Sequence, residues 1–266
     1  MAGSVRAAGG DASERARGPA APPARAPEPA GPPRSVRLLG GFELRVAGAV
    51  VTVPAALQRA VAYLCLRGAC GRSRLAGTLW PDATELRALA NLRTGIWRLN
   101  RVAPGVVVAR HDTLALTDGV TVDVARLQHD ARALLQGSAP SSTGATERYV
   151  EGDLLPDWPD EWLTVDRERL RQLRLHVLEA LAGRLTADGL YGMALETALA
   201  ALQADPLRES AHRAVIRVHL AEGNLAEAVH AYRRCRALLA REIGVAPSPE
   251  TRALADALPR ALLATG

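Results

Sequence analysis

Residues 36–53 alternate apolar and polar side chains in three short runs: Val36-Arg37-Leu38, Phe42-Glu43-Leu44-Arg45-Val46 and Val50-Val51-Thr52-Val53. A period of two is the pattern of half-buried strands, and Gly40-Gly41 and Ala47-Gly48 supply breaks, so two or three short antiparallel strands are predicted. The period then lengthens. Leu57, Val61, Leu64 and Cys65 share one stripe of a helix that has Pro54 in its first turn and Gly68 at its end. Ser73 is placed to cap a short helix carrying Leu75, Leu79 and Trp80, stopped by Pro81. Asp82, with Glu85 three positions on, has capping-box spacing for a third helix reaching about Val102. Val106-Val107-Val108-Ala109-Arg110 and Thr113-Leu114-Ala115-Leu116-Thr117 read as a hairpin turning at His111-Asp112. Small sheet, three helices, hairpin is the order of a winged helix.

Beyond Thr121 the pattern is helical, broken by a polar loop over residues 137–143. Ala187-Asp188-Gly189 with Ala194 is echoed 34 residues later by Ala221-Glu222-Gly223 with Ala228. This is the tetratricopeptide period, with small residues where paired helices approach and a glycine at the turn of each pair. A non-repeat bundle with a chance echo would look similar. The first 34 residues, rich in Ala, Pro, Gly and Arg, have little to bury and are expected to form a disordered arm. The expected division is an arm at 1–34, a winged helix at 35–122 and an all-α tetratricopeptide-like domain at 123–266, mainly α overall.

The third helix carries the sharpest signal. At about 100° per residue, Leu89, Leu92, Ile96, Leu99 and Ala103 fall on one face. Arg87, Asn91, Thr94, Arg98 and Arg101 fall on the other, with no acid among them. Arg93 and Trp97 lie on the flanks, and Trp97 is read as a packing residue. A helix that reads a major groove needs this division: arginine can bond a guanine edge, asparagine an adenine edge, and threonine a phosphate or a thymine methyl. Ordinary surface helices mix acids with bases for pairing along the face. Arg110 and His111, at the hairpin tip, are the candidate wing contacts, although His111 also suits a simple turn. The candidate DNA-binding set is therefore Arg87, Asn91, Arg93, Thr94, Arg98, Arg101, Arg110 and His111.

Charge bears on the same segment. Residues 35–125 hold 11 arginines against 6 acids, whereas residues 126–266 hold 17 against 19. The positive excess sits where a phosphate-binding module is read, although a solvated basic surface would give the same count. Every one of the 33 basic residues is Arg. Without Lys the chain cannot run a Walker-type phosphate loop, a Schiff-base enzyme or a protein kinase.

No catalytic or metal-binding arrangement is read elsewhere, no cofactor is expected, and the chain is not expected to be an enzyme. His129, His176, His212, His219 and His230 are scattered, and no Cys or carboxylate completes a ligand set around His212 and His219. Asp153, Asp157, Asp160 and Glu161 surround Trp158 and Trp162, which suits a tryptophan-anchored packing corner better than acid/base work. Cys65, Cys70 and Cys235 are read as reduced thiols in a cytosolic protein. No apolar run nears the ~20 residues of a membrane span, and the N-terminus lacks a signal-type apolar region, so a cytoplasmic, nucleoid-associated location is expected.

These motifs together resemble the Streptomyces antibiotic regulatory protein (SARP) family of actinobacteria. The resemblance runs through Val36-Arg37-Leu38-Leu39-Gly40-Gly41-Phe42, Leu75-Ala76-Gly77-Thr78-Leu79-Trp80-Pro81 and Ala90-Asn91-Leu92-Arg93-Thr94-Gly95-Ile96-Trp97-Arg98-Leu99. It continues through Leu154-Leu155-Pro156-Asp157-Trp158, Ala204-Asp205-Pro206-Leu207-Arg208-Glu209 and Ile243-Gly244-Val245-Ala246-Pro247-Ser248-Pro249. It implies an OmpR/PhoB-type winged helix followed by a bacterial transcriptional activator domain. It also implies an activator that binds direct repeats of double-stranded DNA near promoters; the helical domain is expected to form a homodimer or to orient two copies along such repeats. Such an activator recruits RNA polymerase through its sigma factor, usually for an antibiotic or other secondary-metabolite gene cluster. The family's Gly-Gly-Tyr-like wing turn is replaced by Arg110-His111-Asp112-Thr113. Larger members add an ATPase domain; here nucleotide control in the same chain is not expected, nor is phosphorylation control through a receiver domain. The alternative is a tetratricopeptide-like interaction adaptor with a degenerate DNA-binding domain.

Overall fold

The computed structural model describes residues 33–137 and 152–256. It opens with β1 (Arg34–Arg37), β2 (Glu43–Val46) and β3 (Ala49–Val50). Helix α1 (Ala55–Arg67) follows, then a two-residue strand β4 (Cys70–Gly71), α2 (Arg72–Leu79) and α3 (Glu85–Val102). The hairpin β5 (Val107–Arg110) and β6 (Thr113–Leu116) comes next, then β7 (Val120–Val122) and α4 (Asp123–Leu135). After a 3-10 turn at Glu161–Leu163, five helices complete the described chain: α5 (Thr164–Ala187), α6 (Tyr191–Ala204), α7 (Glu209–Glu222), α8 (Leu225–Ile243) and α9 (Pro249–Asp256). The fold is a winged helix of OmpR/PhoB type followed by tetratricopeptide-like helical hairpins. The expected arm lies outside the described residues save for Pro33 and Arg34, and Arg34 opens β1. The expected loop at 137–143 also lies outside them beyond Gly137.

The N-terminal sheet has the order β3-β2-β1-β7. Alternation places Val36 and Leu44 inward, each about 1% exposed, and registers them opposite one another. The fourth strand was not predicted. β7 pairs parallel to β1, Val36 opposite Val122, and its three residues are too few for a pattern to register. Asp123, immediately after β7, accepts the backbone N–H groups of Leu38 (2.8 Å) and Leu39 (2.9 Å) on one carboxylate oxygen. It thereby satisfies two donors where β1 leaves its ladder. The wing hairpin is widened by β4, giving a second sheet of order β4-β6-β5.

Helix boundaries follow the predicted periods, with three changes at the caps. Pro54 stands just before α1 and not in its first turn. Gly71 precedes α2, so Ser73 lies inside that helix and not at its cap. Thr84, not Asp82, precedes α3, and no side chain caps it. The stretch from Pro81 to Thr84 is a turn between α2 and α3, which uses up the residues the capping-box spacing assigned to the helix.

The winged helix and the helical domain share one hydrophobic core, running from Val36 to Val218. The segment entering α5 ties them. Leu155 donates its N–H to the carbonyl of Leu38 (2.9 Å), and Gly40 donates to that of Asp153 (2.9 Å). A Cβ on Gly152 would stand 3.0 Å from Gly40 Cα, so the two chains pass where only glycine fits easily. Trp158 stacks on Phe42 and Trp162 tilts against Tyr63. Arg59 pairs with Asp160 (3.0 Å) and Arg67 with Asp166 (2.8 Å). The Arg167 guanidinium donates to the carbonyls of Leu154, Leu155 and Trp158, holding the segment in its bend. The acidic, tryptophan-rich stretch is thus a packing corner, as its composition suggested.

In the helical domain α5 packs on α6 and α7 on α8. Gly189 (φ 75°) and Gly223 (φ 84°) stand at the turn of each pair, in the left-handed region that favours glycine. Ala194 and Ala228, the small residues of the echo, are fully buried.

Candidate nucleic-acid interface

Helix α3 is amphipathic in the manner its sequence predicts. Ala88, Leu92, Gly95, Ile96 and Leu99 are buried. Gly95 lets α1 come close, since a Cβ there would meet Leu57 Cδ2 at 2.5 Å. The other side faces solvent, and Arg87, Asn91, Arg93, Thr94, Arg98 and Arg101 are all exposed. Among the described residues none of the four arginines on this helix forms an ion pair. Several arginines elsewhere are engaged: Arg171 bridges Glu168 and Asp205, and Arg208 bonds Glu179 at 2.6 Å. Four unpaired guanidiniums on one exposed face leave a cationic surface that only an external anion neutralises.

The wing is the β5–β6 hairpin. Arg110 and His111 are exposed, and His111 takes φ 51°, which makes it the strained residue of a tight turn. Thr113 Oγ1 donates to the Arg110 carbonyl (2.8 Å) and closes that turn. Arg110 lies 3.9 Å from Asp118, a pair open to water on both sides and therefore weak. Arg72 at the start of α2 donates its backbone N–H to the Asp112 carbonyl (3.0 Å). The wing tip and the first turn of α2 are therefore neighbours, and Arg72 and Arg74 add two cations there that sequence reasoning passed over. The signal that could have found them is the Arg-Ser-Arg run directly after a strand that pairs with the hairpin.

One residue departs from its predicted role. Trp97 is 58% exposed, not packed, and the Arg101 guanidinium carbon stands 5.1 Å from its ring centroid.

His212 is buried with its Nε2 2.9 Å from the Pro206 carbonyl; burial lowers its pKa, and that hydrogen bond opposes the shift. Burial raises the thiol pKa of Cys65, and raises that of Cys235 to about 11, which favours the thiol over the thiolate. Among the described residues no group of three or more His, Cys, Asp or Glu could hold a metal ion. No described helix is long and apolar enough to cross a membrane.

Comparison with known proteins bears on this arrangement. Residues 109–258 match the bacterial transcriptional activator domain family. The regulatory protein AfsR of Streptomyces coelicolor is 33% identical over 208 residues, 72% of this chain and 21% of AfsR. AfsR of Streptomyces griseus is 30% identical over 209 residues, with the same coverage of both chains. The chain thus spans about a fifth of the length of these curated relatives. Among solved structures, Mycobacterium tuberculosis EmbR, solved in complex with a low-affinity phosphopeptide, superposes with a TM-score of 0.71 at 20% identity. The match covers 88% of this chain and 69% of that one, and establishes likeness of fold.

Proposed function

Because this chain belongs to the bacterial transcriptional activator domain family and is a transcriptional regulator of the SARP group, we propose that it binds double-stranded DNA by sequence and activates transcription. In this reading α3 enters a major groove, where Asn91, Thr94 and Arg98 meet base edges and Arg87, Arg93 and Arg101 hold phosphates. Arg110, with His111 at the turn, brings the wing to the adjacent backbone. The observation that carries the reading is the exposed face of α3 with four arginines that pair with no acid among the described residues. A helix whose cations are left unneutralised in the free protein gains counterion release when it meets phosphates.

Residues 35–122 would supply the DNA contacts and residues 123–266 the protein contacts. The shared core and the Trp158 and Trp162 anchors support a fixed direction of the helical domain relative to α3. Two copies on direct repeats, as a homodimer, would then present their helical domains in the same sense to RNA polymerase and its sigma factor. A secondary-metabolite gene cluster is the expected target, and the nucleoid the expected place of work.

The test is selection of bound fragments from a random double-stranded DNA pool, followed by affinity measurements across a salt series. A tandemly repeated motif, with affinity falling as salt rises, is the expected result. A folded protein that enriches no sequence would overturn the reading and direct attention to protein partners of the helical hairpins.

A further inference from the structure

Trp97 is the one tryptophan that does not pack. Trp80, Trp158 and Trp162 lie against the shared core, whereas Trp97 keeps 58% of its surface in solvent. It stands on the exposed side of α3 among Arg93, Thr94, Arg98 and Arg101. An indole with more than half its surface in solvent, on the face of α3 turned away from the core, is open to contact from outside.

What the ring does touch is Arg101, with the guanidinium carbon 5.1 Å from its centroid. The spacing is i to i+4, and helical side chains lean toward the N-terminus, so Arg101 reaches back over the turn that carries Trp97. Among the described residues Arg101 has neither an acid partner nor a hydrogen bond, so the ring is the surface it rests on. A guanidinium over an indole face is held by the ring quadrupole while its five N–H donors, lying in its own plane, stay free to bond outward. Unsupported, Arg101 would sample many rotamers in the last turn of α3 and lose that freedom on binding.

We propose that Trp97 is a positioning residue for DNA binding: its ring holds the Arg101 guanidinium in place, in advance, for a phosphodiester oxygen. The inference rests on the proposed DNA-binding function and goes beyond it by giving Trp97 a role exerted through Arg101. Pre-organisation of this kind strengthens binding by cutting the ordering cost and not by adding a contact to DNA.

The experiment is a double-mutant cycle in the full chain, read as affinity for the duplex recovered by selection. W97A is expected to weaken binding about 2- to 10-fold, the ordering cost of one immobilised long side chain. W97F, which keeps an aromatic face, is expected to recover most of that loss. R101A should weaken binding at least as much and lower the salt slope by about one. W97A should then cost nothing further in the R101A background. W97A and W97F should keep wild-type far-UV circular dichroism and a cooperative urea transition, which separates positioning from loss of the fold. Wild-type affinity in W97A would overturn the proposal. So would an equal loss from W97A with and without Arg101, which would make Trp97 a direct DNA contact. A wild-type chain with no salt-sensitive DNA affinity would instead remove the functional reading itself, and this inference with it.

Discussion

The rings of Phe42 and Trp158 lie 6.1 Å apart between centroids with planes inclined by 23°, one just before β2 and the other on the segment that enters the helical domain. Around that stack Leu155 bonds Leu38 and Arg67 pairs with Asp166. The two halves therefore fold against one core. Trp158→Ala should destabilise both together by roughly 2–3 kcal/mol, below the range of about 3–5 kcal/mol for a buried aromatic truncation because the ring is only half-buried. Urea unfolding followed by far-UV circular dichroism and by tryptophan fluorescence should give coincident transitions in wild type and variant. Separate transitions for the two halves would show that the shared core does not couple them.

Arg98 and Arg110 should fail in different ways. Arg98→Ala should cost about 1–3 kcal/mol at the selected operator and little on unrelated DNA, as expected for a base-reading group. Arg110→Ala should weaken binding to all sequences alike and reduce the salt slope by about one. Titrations of specific and random duplexes over a range of salt distinguish the two patterns. A uniform loss from Arg98→Ala would reassign it to the backbone.

Gly95 marks how closely α1 and α3 approach. Alanine there would drive a methyl to 2.5 Å from Leu57 Cδ2, a side chain itself buried at 3% exposure. Overpacking of about 1–3 kcal/mol outweighs the roughly 1 kcal/mol that alanine gains over glycine in a helix. Gly95→Ala should therefore lower stability by about 1 kcal/mol in urea melts. A gain in stability would mean that Leu57 moves aside freely.

His212 makes the helical domain sensitive to acid. Burial lowers its pKa from the ordinary 6.5. Between the two values the unfolded chain binds a proton that the folded chain refuses, so stability is full above about pH 6.5 and falls as pH drops below it. His212→Gln, which keeps an N–H for the Pro206 carbonyl, should show a smaller drop in urea midpoint between pH 7.5 and 5.5 than wild type. Equal drops would place the sensitivity on other groups.

The parts legible in the sequence are those with a long, repeated signal. Leu92, Ile96 and Leu99 recur at helical spacing, so the buried face of α3 and its opposite were both readable. Gly189 and Gly223 sit 34 residues apart, and each marks a helical turn. What escaped depended on neighbours distant in sequence. The pairing of Val120–Val122 with β1 and the acceptance of the Leu38 and Leu39 N–H groups by Asp123 are encounters that no local pattern encodes. Trp97 escaped for another reason: hydrophobicity predicts burial, and a residue kept exposed for contact breaks that rule. The cap of α3 moved from Asp82 to Thr84 because the tight turn after α2 uses the intervening residues.

Strand β1 lies between β2 and the parallel β7, and β7 is reached only after all three helices and the wing have been traversed. On the ribosome, β1 therefore waits with one edge open until Val122 has left the exit tunnel, long after α3 has been made. A chain released early, with α3 complete but β7 missing, would carry the arginine face and an unpaired strand edge together. Such a fragment is a poor choice for dissecting DNA affinity, and a fragment reaching at least through Asp123 is the shortest that closes its own sheet.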